Sequence, residues 1–154
     1  MHYRIEDKGL EICVYDRVED TIFLRVTRNS DLIGNIKFKF YIKGELILET
    51  SKKNKIFGYK LSIPYQNLEA KISISEGPLG YQLNVNDNIC KIYWNHVGQN
   101  EDLFYWNDKV IGSSDTRDTK WLSDLIYFCH FNENKLRNLY ALILFIMQTE
   151  YISG

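Results

Sequence analysis

The sequence predicts a mainly β fold, an antiparallel barrel of short strands with a hydrophobic helix inside it. Two observations carry that expectation. The first is the segment 139–147, which is apolar at every position. At helical spacing Leu139, Leu142, Ile143 and Ile146 form one face, Tyr140, Leu144, Met147 and Tyr151 a second, and Ala141 and Phe145 nearly close the circle. Such a helix needs burial all round, yet it falls far short of the roughly 20 apolar residues that cross a bilayer, so the protein itself must wall it in. The second observation is strand patterning through the rest of the chain. Strand signals recur every 8 to 12 residues or so, with no helical period between them. A calycin-type barrel is the alternative fold, but there the last helix packs outside and keeps a polar face.

Taken in order, residues 1–14 alternate charged with apolar positions and hold no apolar run of signal-peptide length, which predicts structure already under way. Segments 9–15 and 21–27 read as strands bounded by charged turns. In 36–43 the apolar side chains of Ile36, Phe38, Phe40 and Ile42 alternate with Lys37, Lys39 and Lys43, giving one greasy and one wet face. Gly44 breaks the pattern and 46–48 resumes it, so a tight hairpin runs through Lys43-Gly44-Glu45. Further strands are expected at 57–63, 70–75, 81–85, 89–94, 103–106 and 109–112. Between several of them lie residues that tolerate turn geometry, at 77–80, 86–88 and 107–108. The polar stretch Ser113 to Asp118 reads as an ordinary loop. Segment 121–131 fits a helical stripe or a strand, and its aromatic and β-branched content favours the strand. Asn132-Glu133-Asn134 is then a polar break in which an Asn caps the final helix, with Lys135 and Arg137 on its exposed entry turn.

This order, together with the passage Tyr127-Phe128-Cys129-His130-Phe131-Asn132-Glu133-Asn134-Lys135 followed by the apolar run from Leu139 to Ile146, resembles the tubby C-terminal-like superfamily, which includes the LURP-one-related proteins and the phospholipid scramblases. The resemblance implies a closed antiparallel β-barrel of about a dozen strands, a size that suits this chain, enclosing or plugged by a central hydrophobic helix. It also implies a role at lipid headgroups, which tubby proteins bind through basic residues. The chain has neither the proline-rich extension nor the cysteine cluster of the scramblases.

Composition is that of one domain spanning 1–154. With 45% hydrophobic and 14% aromatic residues, the chain can bury about two-thirds of its unfolded surface in one core. Cys13, Cys90 and Cys129 are odd in number and far apart, in no disulfide or zinc spacing, which suits a reducing cytoplasm and a role as small buried filler. The expected location is cytoplasmic, peripheral to a membrane if lipid is the ligand, with no transmembrane segment.

No catalytic or metal-binding constellation emerges, no cofactor is implied, and the chain reads as a non-enzyme. His2, His96 and His130 are the histidines. His2 belongs to an expected mobile end, and His130 alternates faces with Cys129 on a strand, so the two could not share a metal. Phosphate-loop, nucleophile-elbow and zincin patterns are lacking. Net charge is −1, and nucleic acid is not an expected partner. The distribution is informative, however. Between residues 37 and 60 seven lysines stand against Glu45 and Glu49, a net of +5 that leaves −6 for the remainder.

Two functional expectations follow. The first is a non-catalytic module binding anionic lipid headgroups, or a similar anionic ligand, through Lys37, Lys39, Lys43, Lys52, Lys53 and Lys55. The second is a protein-interaction module with an aromatic patch at Tyr105 and Trp106, where neighbouring strands also carry Tyr93, Trp94 and Phe104. The plainer readings are a solvated lysine face and cross-strand ring packing.

Overall fold

The protein is described by a computed structural model covering residues 1–94, 101–118, 125–133 and 135–148. Twelve strands form one antiparallel sheet: β1 (His2–Asp7), β2 (Glu11–Asp16), β3 (Thr21–Ser30), β4 (Ile36–Ile42), β5 (Glu45–Asn54), β6 (Tyr59–Gln66), β7 (Ile72–Gly77), β8 (Gly80–Val85), β9 (Asn88–Tyr93), β10 (Asp102–Trp106), β11 (Lys109–Asp118) and β12 (Leu125–Phe131). The chain meanders, consecutive strands pairing except at β6 and β7, and β1 returns to β12 with His2 opposite His130. That arrangement leaves β6 and β7 as the two edges of a nearly closed barrel.

Side chains close this seam where a backbone ladder does not. Gln66 at the end of β6 takes a hydrogen bond from the Ile72 amide at 2.8 Å and donates to the Ile72 carbonyl at 3.0 Å, copying the bonds of a paired strand. Further along, the Tyr81 hydroxyl donates to the Tyr59 carbonyl at 2.6 Å, and the two rings lie 5.2 Å apart. An edge satisfied in this way offers less backbone to a foreign strand.

Helix α1 (Arg137–Met147) fills the interior, and every residue from Asn138 to Met147 is buried. Eleven residues make a helix about 16 Å long, comparable to a strand, so it can meet the inner face of the barrel along its length. Phe145 shows how it is surrounded. Its ring meets Trp94, just after β9, at 5.5 Å, Phe104 of β10 at 5.9 Å and Tyr127 of β12 at 5.1 Å. The two apolar faces read from the sequence are therefore both covered; Tyr151 lies outside the described residues. Alternation supplies the lining, with Ile5, Val14, Leu24, Val26, Phe38, Phe40 and Leu48 inward and buried.

Several expectations are corrected. The N-terminal alternation is structured as expected, in two strands joined by a turn at residues 8–10. His2, however, is not at a mobile end: it is held in β1, its ring tilted against that of His130 with centroids 4.4 Å apart. The backbone of Met1 exchanges hydrogen bonds with Phe131, so this end is paired within the barrel. Ser113 to Asp118 is not a loop but the second half of β11, paired along its length with β12; Ser114 turns inward, its hydroxyl 3.5 Å from the Asp102 carboxylate. Strand β5 extends well beyond 46–48, because Thr50 and Ser51 are buried in the ladders to β4 and β6. No Asn caps α1: Leu136 occupies the cap without a side-chain bond. Asn132 is instead tied to β11, its amide bonding the Ile111 carbonyl at 2.9 Å. Asn134, the other Asn of the break, lies outside the described residues. Lys135 is exposed as expected, whereas Arg137 is half-buried against Glu133. The ambiguous segment is strand from Leu125 onward, and residues 121–124 lie outside the description.

Because the strands alternate direction, the turns after β1, β3, β5 and β7 gather at one end of the barrel, the upper rim. Those after β2, β4, β6, β8 and β10 gather at the lower rim, where the chain also enters α1. The lower turns have the chemistry their geometry demands. Lys43-Gly44 is a two-residue hairpin with positive φ at both positions (51° and 79°), and Asn86 and Asn107 supply φ of 53° and 56°.

Candidate functional site

The outer wall formed by β4, β5 and β6 carries the positive charge. Alternation sends Lys37 and Lys39 outward from β4, and the register puts Ser51 opposite Lys37 and Lys60 opposite Lys53. Lys37, Lys39 and Lys53 line one concavity of about 510 Å³ with Asn29, Asn35 and Ser51. Two acids temper the wall: Asp31 lines the same concavity, and Glu49 sits opposite Lys39 and pairs with Lys37 at 3.6 Å. The site is a shallow polar groove in which lysines supply charge and amide or hydroxyl groups supply directional donors.

The other expected ligand residues separate. Lys43 lies at the lower rim, about 20 Å along β4 from Lys37 at strand rise, beside a second concavity shared with Phe23, Arg25 and Tyr41. Lys52 has the inward parity of Ile36 and Leu61, and its ammonium caps the Tyr59 ring at 4.3 Å from the centroid. Lys55 opens the turn after β5 at the upper rim, its amide bonding the Gly58 carbonyl at 3.0 Å. The six lysines are therefore one outer group of three, two at the upper rim and one at the far end. Lys60, which adjoins Lys53, joins the outer group.

The expected aromatic patch divides in the same way. Trp106 points inward and packs against Tyr140 of α1 at 6.2 Å, while Tyr105 faces outward beside Lys91 of β9. Period two places adjacent residues on opposite faces, so Tyr105 and Trp106 cannot form one surface. The exposed ring of this region is Tyr93.

Beneath the upper rim lies a buried ion pair that residue patterning missed. Arg28 of β3 grips Asp7 of β1 through two 2.9 Å bonds and donates a third, at 3.0 Å, to the Gly9 carbonyl. The Gly9 amide in turn bonds Asp7 at 2.9 Å. The planar guanidinium matches the carboxylate edge to edge and also faces the Phe38 ring at 5.5 Å. Nearby, Asp31 shapes the β3–β4 turn: it accepts from the Ile33 and Asn35 amides and from the Asn35 side chain, all within 3.0 Å. These bonds, the Asn35 amide foremost, hold its carboxyl below the ordinary range.

The three cysteines are buried and unbridged. Burial pushes the Cys90 thiol up to about 12 and the Cys129 thiol higher still, which leaves both protonated and unreactive at neutral pH. Cys129 and His130 point to opposite faces, as their alternation predicts; His96 lies outside the described residues. Among the described residues no group of three His, Cys, Asp or Glu is placed to hold a metal, and no helix is long and apolar enough to cross a membrane. Comparison with family models, with curated proteins and with solved structures finds no match.

Proposed function

We propose that the chain is a non-catalytic binding module for anionic headgroups, built on a tubby-like barrel and acting at the periphery of a membrane. The observation that carries the reading is the clustering of Lys37, Lys39 and Lys53 around one polar groove, with Lys60 adjacent, on the outer wall of β4, β5 and β6. Lysines bind phosphate as point charges, and the Asn29 and Ser51 side chains that line the same groove carry polar donors. Support for the tubby-like reading is the meander of twelve strands around a fully buried C-terminal helix. The alternative of an aromatic protein-interaction face rests on Tyr93 and Tyr105, since Trp106 belongs to the core.

The test is binding of inositol hexakisphosphate, and of phosphatidylserine-containing vesicles, across a salt series. Binding should fade as salt rises, because screening weakens exposed charge pairs. The triple substitution Lys37→Glu, Lys53→Glu and Lys60→Glu should abolish it, whereas Lys43→Glu, at the far rim, should not. Native protein that ignores both probes at low salt, or a triple variant that binds as well as native, would overturn the reading.

A further inference from the structure

The two rims of the barrel differ in a way that chain geometry does not explain. Positive backbone angles occur at both rims, at Gly44, Asn86 and Asn107 below and at Gly9, Gly34, Gly58 and Gly80 above, and the lower β2–β3 turn exposes one apolar side chain, Val18. At the upper rim two neighbouring turns carry large apolar residues at their corners, Leu32-Ile33 in Asp31–Gly34 and Ile56-Phe57 in Lys55–Gly58. Each turn is closed by a backbone hydrogen bond, 3.2 Å in the first and 3.0 Å in the second. Neither turn needs an aliphatic or aromatic side chain for its conformation. All four side chains project into solvent: Leu32 is 107% exposed, Ile56 94%, Phe57 93% and Ile33 72%. Isolated exposed apolar residues are ordinary, but four at the tips of adjoining turns are not.

The two turns are fastened together. Asn54 donates through its side chain to the Ile33 carbonyl and through its amide to the Asn35 side chain, both at 2.8 Å. These bonds link the two tips at the barrel end that also holds the Arg28–Asp7 pair. Leu10 and Leu79, in the turns after β1 and β7, extend the apolar rim on either side, at 63% and 40% exposure. Directly behind the tips stand Lys37, Lys53, Lys55 and Lys60. Of the nearby acids, Asp31 turns its carboxylate back into its own turn, Glu49 pairs with Lys37, and Glu76 lies beside Phe57 and Leu79 in a shared concavity.

We propose that the upper rim docks on an anionic bilayer, with Leu32, Ile33, Ile56 and Phe57 inserted at the level of the headgroups and upper acyl chains while the lysines behind them meet lipid phosphates. This deepens the headgroup reading and rests on it. The occupant follows from shape and charge together. A protein interface requires a complementary, closely packed surface, whereas Leu32, Ile33 and Ile56 project from turn tips and only Phe57 borders a concavity, with Leu79 and Tyr81. A bilayer accommodates such projections without a matching socket, and interfacial binding grows with buried apolar area plus attraction of lysines to anionic lipid.

The experiment measures partitioning of the whole chain onto sedimentable vesicles of phosphatidylcholine with and without phosphatidylserine, alongside binding of soluble inositol hexakisphosphate. A Leu32→Ser/Phe57→Ser variant, altered only at exposed tips, should lose about tenfold in vesicle partitioning per residue, since each gives up most of the transfer free energy of a large apolar side chain. It should keep its affinity for inositol hexakisphosphate and its melting temperature. Native protein should prefer vesicles with phosphatidylserine. Equal partitioning of native and tip variant would overturn the proposal while leaving the headgroup reading intact. Loss of inositol hexakisphosphate binding only in the lysine-to-glutamate variant supports the headgroup reading independently of the tips. Native protein that binds no vesicle, but self-associates in sedimentation through a contact that the tip variant abolishes, would overturn insertion in favour of a second copy of this chain.

Discussion

Replacing Arg28 by Met should be among the most damaging single changes at the upper rim. The Arg28 side chain is fully buried and that of Asp7 nearly so, which means the pair has little water to fall back on. Arg28→Met removes two charge-assisted bonds to Asp7 and one to the Gly9 carbonyl, and leaves a buried carboxylate with only the Gly9 amide of the bonds described. Breaking a buried pair from one side costs about 3 to 5 kcal/mol. For a chain of this size each kcal/mol shifts the melting temperature by about 2 to 4 °C, so a drop of roughly 6 to 20 °C is expected. Urea unfolding at pH 7 measures the cost, and a double-mutant cycle with Asp7→Leu separates the pair from its surroundings. The Asp7→Leu/Arg28→Met double variant should be more stable than Arg28→Met alone, because it removes the stranded charge. Amide exchange adds a local readout: the Arg28 amide, which bonds the Leu10 carbonyl at 2.8 Å, should lose protection as the β1–β2 turn loosens. A cost below about 1 kcal/mol for Arg28→Met, or a double variant no better than the single, would refute the assignment of this pair as a brace.

Leu144→Asp should abolish recovery of folded protein, because it buries an unpaired charge in a helix with no exposed face, and a normal melting temperature for this variant would refute the enclosed-helix architecture. Gln66→Ala removes both seam bonds to the buried Ile72 backbone and should cost about 1 to 3 kcal/mol in urea unfolding, against a near-neutral result if water replaces the amide. Stability should also decline as pH falls below the ordinary histidine value of about 6.5. Burial, and next the facing His130 with Nδ1 atoms 3.3 Å apart, lower the His2 pKa. The unfolded chain therefore takes up the proton first, and the contribution present above that pH is lost through the window below it. His2→Gln should flatten this slope in a pH series of melting curves.

Patterning reveals elements whose side chains alternate between unlike environments, and hides those whose meaning depends on a partner far along the chain. Lys37, Phe38, Lys39 and Phe40 declare their strand because one face is wet and the other greasy. The segment from Leu139 to Met147 declares an enclosed helix because no side is wet. Ser113 to Asp118 reads as a loop because hydroxyls and carboxylates carry no apolar period, yet pairing with β10 and β12 makes it a strand. Asp7 and Arg28 are ordinary charges until the barrel brings β1 beside β2 and β2 beside β3. The lysines share a charge sign but not a location: period two and the turn at Gly44 send Lys52 inward and Lys43 to the other rim. Phe57, read as the start of a strand over 57–63, sits at a turn tip before β6. The legible signal there is Asp-Leu-Ile-Gly and Lys-Ile-Phe-Gly, turns whose middle residues have no conformational reason to be apolar.

The filled interior decides where binding can occur. In barrels that carry small molecules the cavity lies inside the sheet, but here the Phe145 ring is already packed by Trp94, Phe104 and Tyr127, and Leu142, Ile143 and Leu144 are fully buried. Making room for a ligand would mean displacing side chains whose individual removal costs about 2 to 5 kcal/mol, more than a small apolar ligand could return in a few contacts. The outer wall and the rims carry no such cost. Of these surfaces, the lower rim exposes apolar residues such as Val18 and Leu136 in separate segments, whereas the upper rim groups Leu32, Ile33, Ile56 and Phe57 on adjoining turns beside a lysine wall. Exposed apolar surface gains nothing until something covers it, so the upper rim is where a partner contributes most free energy for the least rearrangement.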